Sequence, residues 1–313
     1  MPDAAAGAVL GGRWLGADAA APQAPLLAPG GAVFDAWAGG AHVEERRHGC
    51  VRYATDGHWL HGSAEIDDRT LGLQAATRRA YAELFEAIAA SPCAQLLRLW
   101  NYLADINRET DGSERYREFN AGRQQAFIEA RRSAFDGAPA ACALGTRGGP
   151  LRVYFLAGRT VPLAIENPRQ ISAYHYPDSY GPRSPSFSRG ALADVGAGRT
   201  ALFISGTASI VGHATLHAGD VRRQTEESLV NIAAVRAAAA ARAQRPFPAD
   251  ALIATVYLRH AADLDVVRET FERAVGAGSA AARDAVYVQA DICRADLLVE
   301  IEAHAFADHR NPA

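Results

Sequence analysis

The chain has 313 residues, 49% apolar and 21% charged, with a formal net charge of -3 and no lysine at all. That length suits about two ordinary domains, and the balance suits a globular protein with a real core. No basic run of nucleic-acid type stands out, and no apolar stretch is long enough to cross a membrane.

Cys50, Cys93, Cys142 and Cys293 lie far apart with no CxxC spacing, which speaks against a structural zinc site or a disulfide framework and for reduced thiols. The N-terminus "MPDAAAGAVLGGRWLG" lacks the basic segment and apolar run of a signal peptide, so a cytoplasmic protein is expected.

Residues 1–29 are rich in Ala, Gly and Pro without period and read as an extended lead-in. After them the chain repeats itself. "HWLHGSAEID" predicts a strand, "LGLQAATRRAYAELFEAIAAS" a helix, "AQLLRLWNYLADIN" a strand and "SERYREFNAGRQQAF" a helix. The second copy runs "TALFISGTASIVG", "DVRRQTEESLVNIAAVRAAAA", "DALIATVYLRHAADL" and "DVVRETFERAV", again strand, helix, strand, helix. The helices rest on three-to-four spacing: Leu73, Thr77, Tyr81, Leu84 and Ile88 in one, Val221, Thr225, Ser228, Ile232 and Val235 in the other. Asp220 is placed to cap the second. The strands are short and dense in β-formers. "GTRGGP", Gly145 to Pro150, lacks the Lys-Ser/Thr of a phosphate loop and precedes a strand, so it reads as a turn.

Each half is then expected to close on a strand, "RQISAYHYP" in the first and "LVEIEAHAF" in the second. Aligning these sets Gln170 opposite Glu300 and Ser172 opposite Glu302, so that only the second copy keeps acids. Side chains alternate along a strand, so Leu297, Val299, Ile301, Ala303 and Ala305 share an apolar face, and Glu300, Glu302, His304 and Phe306 share the other. That second face is either wet or chemically employed. Between the halves, "YHYPDSYGPRSPSFSRG" (Tyr174 to Gly190) is too rich in Pro and Gly for a regular element and too rich in Tyr and Arg for a plain linker. The expected domains are 30–176 and 177–313.

"SGTASIVGHATLHAGDVRRQTEESLVNIAAV" followed by "LLVEIEAHAF" resembles the RidA (YjgF) fold. The resemblance implies an α+β protein of two fused RidA-like halves, each a mixed sheet with helices packed on one face. "YGPRSPSFSR", "SGTASIVGH", "GDVRRQTEESLVNI" and "ERYREFNAGR" together resemble the chorismatases, which split pyruvate from chorismate. Imine-deaminating RidA enzymes carry an Arg where this chain has Ala285, which counts against plain deamination and against a binding protein without turnover. The chorismatase likeness implies a small-molecule substrate, chorismate, and no cofactor. A monomer is expected, since the second copy can supply the partner surface.

Chorismate bears a ring carboxylate, a C4 hydroxyl and an enolpyruvyl ether at C3 with a second carboxylate. Cleaving the ether starts by protonating the terminal methylene, which needs an acid still protonated near neutrality. The resemblance implies Glu300 for this role. Glu302, about 7 Å along the same face, is expected to be supporting or exposed, and His304 structural. Arg183 and Arg123 are expected to hold the carboxylates, and Tyr174 and Tyr180 to donate hydrogen bonds and stack, with Arg189 and Asn120 as further candidates. Gly206 and Cys293 match the positions that separate 3-hydroxybenzoate-forming from diol-forming members, and Gly with Cys resembles the former type. His213 and His217 precede the helix without a third ligand, so no metal is expected.

Overall fold

The computed structural model describes residues 8–16, 21–110 and 112–308. The lead-in is strand-forming: β1 (Val9–Leu15) pairs with β3 (Val33–Ala38), and β2 (Leu26–Ala28) lies between them in sequence. Then come β4 (Glu44–His48), β5 (Val51–Thr55), β6 (Trp59–Ile66), the short α1 (Asp68–Leu71), α2 (Leu73–Ala89) and β7 (Gln95–Ala104). A small hairpin, β8 (Glu109–Thr110) and β9 (Ser113–Glu114), leads into α3 (Arg115–Glu129), β10 (Ala140–Thr146) and β11 (Leu151–Gly158). The second half contains β12 (Leu163–Ile165), β13 (Gly190–Gly196), β14 (Arg199–Thr207), the hairpin β15 (Ile210–Val211) and β16 (Ala214–Thr215), and α4 (Val221–Ala243). It ends with β17 (Ile253–Leu258), α5 (Leu264–Val275), α6 (Ala280–Arg283), β18 (Val286–Gln289) and β19 (Val299–Asp308).

The two main sheets have one topology. The first runs β10-β7-β11-β6-β5-β4; the second, read from the same end, runs β18-β17-β19-β14-β13-β12, with β2 added beside β18. In both, the first pair is parallel and the remaining pairs are antiparallel. The repeat expected from the sequence is therefore real, with one correction. The first half closes on β11, "LRVYFLAG", and not on "RQISAYHYP", where Ala173–His175 form a 3-10 turn. Pro168 and Pro177 bracket that segment and deny it a ladder. The chain also enters the second sheet at β12, ahead of the expected boundary at 177.

Alternation along the strands sorts the core into layers. Val153, Phe155 and Ala157 of β11 face α2 and α3, while Tyr154 and Leu156 face the other sheet. In β19, Val299, Ile301, Ala303 and Ala305 face α4 and α5. Helices thus cover the outer face of each sheet, and the inner faces meet through a third cluster containing Trp100, Tyr102, Phe203 and Tyr257. The expected helix stripe is buried at Leu73, Thr77, Tyr81, Leu84 and Ile88. Asp220 caps α4, its side chain accepting from the Arg223 N–H at 3.0 Å. In "FNAGR", Gly122 lets α3 cross α2 closely, because a Cβ there would stand 2.2 Å from the Gln74 carbonyl oxygen.

Candidate active site

The face of β19 that carries Glu300, Glu302 and His304 is the inner one, so its polar residues point at the other half of the molecule and not at solvent. Glu300 is 4% exposed and Glu302 2% exposed. Glu300 stands opposite Tyr257 of β17 in the ladder. On its other side, β14 breaks register between Ile204 and Thr207, a bulge that shifts Gly206 against the glutamate. A Cβ on Gly206 would lie 1.9 Å from Glu300 Oε1 and 3.0 Å from the Cys142 Cβ. The space the missing methyl leaves is taken by the acid itself.

Glu300 opens into a cavity roofed by α3, walled by β10 and the segment after β18, and closed by the connector before β13. Among the described residues no hydrogen-bond partner reaches its carboxyl. Burial, reinforced by the negative charge of Glu302, pushes the carboxyl up to about 8, although Arg98 and Arg189 pull the other way. Glu302 is the opposite case. Burial pushes it up, but Arg13 and Arg98 more than offset this and hold it at about 2. Two acids on one face of one strand therefore differ in charge at neutral pH.

Three guanidiniums line the same cavity with N–H groups to spare. Arg123 of α3 is 1% exposed; Nη2 donates to Asn120 Oδ1 at 2.8 Å and Nε lacks a partner. Arg189 donates from Nη2 to the Ile171 carbonyl at 2.8 Å and to the Tyr176 hydroxyl at 2.7 Å, leaving Nε unpaired. Arg294 lies over the Tyr180 ring at 4.1 Å and the Tyr176 ring at 5.2 Å, donates from Nη1 to the His213 carbonyl at 2.8 Å, and leaves Nη2 unpaired. Unpaired buried donors are costly and suit an anionic guest. Cys293 lines the cavity, and burial and the negative charge of Glu300 push its thiol up to about 12, so it is a neutral contact and not a nucleophile.

Most of the expected residues meet here: Glu300, Cys293, Gly206, Arg123, Arg189, Asn120 and Tyr180 all line the cavity. Two do not. Arg183 is exposed and off the cavity, because the Pro182–Arg183 stretch turns outward. Tyr174 packs edge-on against Phe135 at 6.5 Å and His175 at 4.7 Å; the 3-10 turn sends Tyr176 inward in its place. Glu302 is neither exposed nor loosely supporting but locked in ion pairs. His304 packs on Trp37 with ring centroids 5.0 Å apart, and burial lowers it to about 4. Sequence reasoning missed Tyr176, Arg294 and Glu114, a half-buried acid raised mainly by burial and bonded to Asn107 Nδ2 at 3.3 Å. "CRAD", beside the chosen Cys293, was the one available signal for Arg294. Gln170, expected on a strand opposite Glu300, does line the cavity, but from an irregular segment, donating to the Ile210 carbonyl at 2.9 Å. Among the described residues no cluster of His, Cys, Asp or Glu suits a metal, and no helix is long and apolar enough to cross a membrane.

Known proteins share this architecture. Residues 35–157 match the family model described as chorismatase FkbO/Hyg5-like, N-terminal. A 3-hydroxybenzoate synthase of Streptomyces hygroscopicus is 38% identical over 289 residues, which is 88% of this chain and 83% of that protein. A chorismatase of Streptomyces rapamycinicus is 38% identical over 86% of this chain and 80% of its own. The chain belongs to the chorismatase family. A chorismatase crystal structure superposes on this family member with a TM-score of 0.85 at 33% identity, covering 97% of this chain and 95% of the other. A YjgF-family structure from Neisseria meningitidis matches at 21% identity over 41% of this chain and 92% of its own, with a TM-score of 0.31. The matched family segment of this chorismatase holds Asn120, Arg123 and Cys142 of the cavity. Gly206, Cys293, Arg294 and Glu300 lie beyond it.

Proposed function

We propose that this chorismatase converts chorismate to 3-hydroxybenzoate and pyruvate, with Glu300 as the acid that starts the reaction. The reading is carried by one observation: a buried carboxyl without a hydrogen-bond partner, pushed up to about 8 by burial, in a cavity where Arg123, Arg189 and Arg294 each leave a buried N–H unpaired. Arg189, Arg123 and Arg294 take the two carboxylates of the substrate, and Tyr176 and Tyr180 border the ring.

Glu300 gives its proton to the terminal methylene, making an oxocarbenium ion. The C4 hydroxyl oxygen then attacks C3, the C3–O bond to the side chain breaks, and pyruvate leaves as a neutral ketone carrying its carboxylate. The hydroxyl proton returns to the Glu300 carboxylate. The resulting arene oxide opens at C4, the ring loses a hydrogen as a proton, the oxygen gains one, and 3-hydroxybenzoate forms. No water is consumed, so the atoms of chorismate are shared between the two products. Gly206 leaves the acid its place, and Cys293 offers a small, weakly polar wall that leaves little to activate water. We read the enzyme as cytoplasmic, monomeric and free of cofactors.

The test is incubation with chorismate, with pyruvate and the ring product identified together. The expected outcome is 3-hydroxybenzoate in equal amount to pyruvate. A dihydroxycyclohexadiene carboxylate as the product would overturn the assignment of the second step. Glu300→Gln is expected to lower pyruvate release by at least about 100-fold, the scale of a lost general acid.

A further inference from the structure

Glu302 takes no part in the chemistry above, yet it is buried as deeply as the acid that does. Arg13, 3% exposed, reaches Glu302 Oε1 at 2.6 Å, Arg98, 2% exposed, holds Oε2, and the Tyr257 hydroxyl donates to Oε1 at 2.8 Å. Arg13 comes from β1, outside the matched family segment, and crosses the interface between the sheets. Its remaining N–H groups go to Asp35 Oδ2 at 2.9 Å, the Tyr102 hydroxyl at 2.8 Å and Thr255 Oγ1 at 3.3 Å. Well-packed apolar residues stabilise a core at least as well as a buried ion pair. A charge cluster kept directly behind the reacting acid therefore invites a second use.

We propose that Arg13 and Glu302 form a positioning device for the general acid, fixing a permanent negative charge one pleat behind Glu300 so that Glu300 keeps its proton, with Arg98, which pairs with Glu302 but also faces Glu300, as the counterweight that limits the effect. The proposal rests on the reading of Glu300 as the acid. Side chains two residues apart on one strand face stand about 7 Å apart, and two carboxylates at that range in a dry interior do not both ionise readily. The one flanked by guanidiniums takes the charge; the other stays neutral. The groups facing Glu300 from other elements are consistent with this. Arg98 of β7 and Arg189 of the connector pull against the proton, while the thiols of Cys142 and Cys293 and the phenol of Tyr116 are all pushed up by burial and remain neutral. Arg123, Arg294 and Glu114 line the cavity further out. Around Glu302, Tyr102 and Tyr257 are neutral, Asp35 is paired to Arg13, and His304 is held neutral by burial.

The test is the pH dependence of kcat/KM for chorismate, whose basic limb reports the free enzyme's acid. In the wild-type enzyme the limb is expected near pH 8. Glu302→Gln leaves Arg98 facing Glu300 alone and should move the limb down by about 1 unit or more, with activity regained in acid. Arg98→Met leaves Glu302 charged beside Arg13 and should move it up. A merely structural role lowers activity at every pH and leaves the limb in place in both variants, which would overturn the proposal. Glu300→Gln separates the two readings: if it is fully active, the acid is wrongly assigned. If it is inactive while both limbs stay put, the positioning role alone fails. Should Glu302→Gln not fold, Arg98→Met decides, and an unmoved or lowered limb overturns the proposal.

Discussion

Strands β11 and β19 hold the same place in the two sheets, and they differ in what they carry. Tyr102 and Tyr257 occupy matching positions on β7 and β17 and hydrogen bond to each other at 2.8 Å. Counting from them, Arg152 stands opposite Tyr102 where Glu300 stands opposite Tyr257, and Tyr154 falls where Glu302 does. Arg152 reaches out to Glu65 at 2.8 Å and to the Ala21 carbonyl of the lead-in. Glu300 reaches into a cavity. The scaffold was doubled and the chemistry was not: a topology fixes where a side chain points, and the side chain decides whether anything happens there.

The largest effect should separate the two strands. Glu300→Gln is expected to stop turnover as above, while Tyr154→Phe on the matching strand keeps kcat within about 2-fold, since only a phenolic hydroxyl is lost far from the cavity. A large loss in Tyr154→Phe would mean the first sheet takes part in catalysis. The next contrast lies within the connector. Arg189→Met should raise KM by about 10-fold or more, the worth of a charge-assisted contact to a carboxylate, whereas Arg183→Met, at an exposed position, leaves KM within about 2-fold. Equal effects would mean that the connector rearranges around substrate. Third, Gly206→Ala with Cys293→Val should shift products toward the diol, because a methyl at 206 would stand 1.9 Å from Glu300 Oε1 and so must turn the carboxylate that takes back the C4 hydroxyl proton. An unchanged product ratio would remove both residues from product control.

A smaller effect concerns stability. Glu300 has its folded value near 8, above the ordinary 4.5. Its favourable contribution is therefore present below 4.5 and is lost as pH rises toward 8. Glu302, held near 2, behaves in reverse and loses its contribution as pH falls below 4.5. Glu300→Gln should accordingly melt higher than wild type at alkaline pH and about equally in acid. A lower melting temperature at alkaline pH would contradict the buried, neutral state of this carboxyl.

Much of this was readable in the chain. Matching segments such as "HGSAEI" and "SGTASI" expose the repeat, because both strands keep one face apolar and a glycine at the close approach. A strand after "GTRGGP" is expected from the sequence, but its closing place in the first sheet is not, because "LRVYFLAG" is buried on both faces and shows no alternation, whereas the alternating aromatics of "ISAYHY" imitate a strand. Arg13 and Arg98 carried no local signal at all: their partner, Glu302, is 204 residues or more away in sequence, and only the meeting of the inner faces, with Arg13 brought in by β1 and Arg98 by β7 of the first sheet, brings them to it.

The most direct measurement is the infrared difference spectrum between the wild-type enzyme and Glu300→Gln, followed through a pH titration. A protonated carboxyl band should be present at neutral pH and give way to carboxylate as pH passes about 8. A spectrum in which the Glu300 side chain is already ionised well below neutrality would contradict its role as the proton donor.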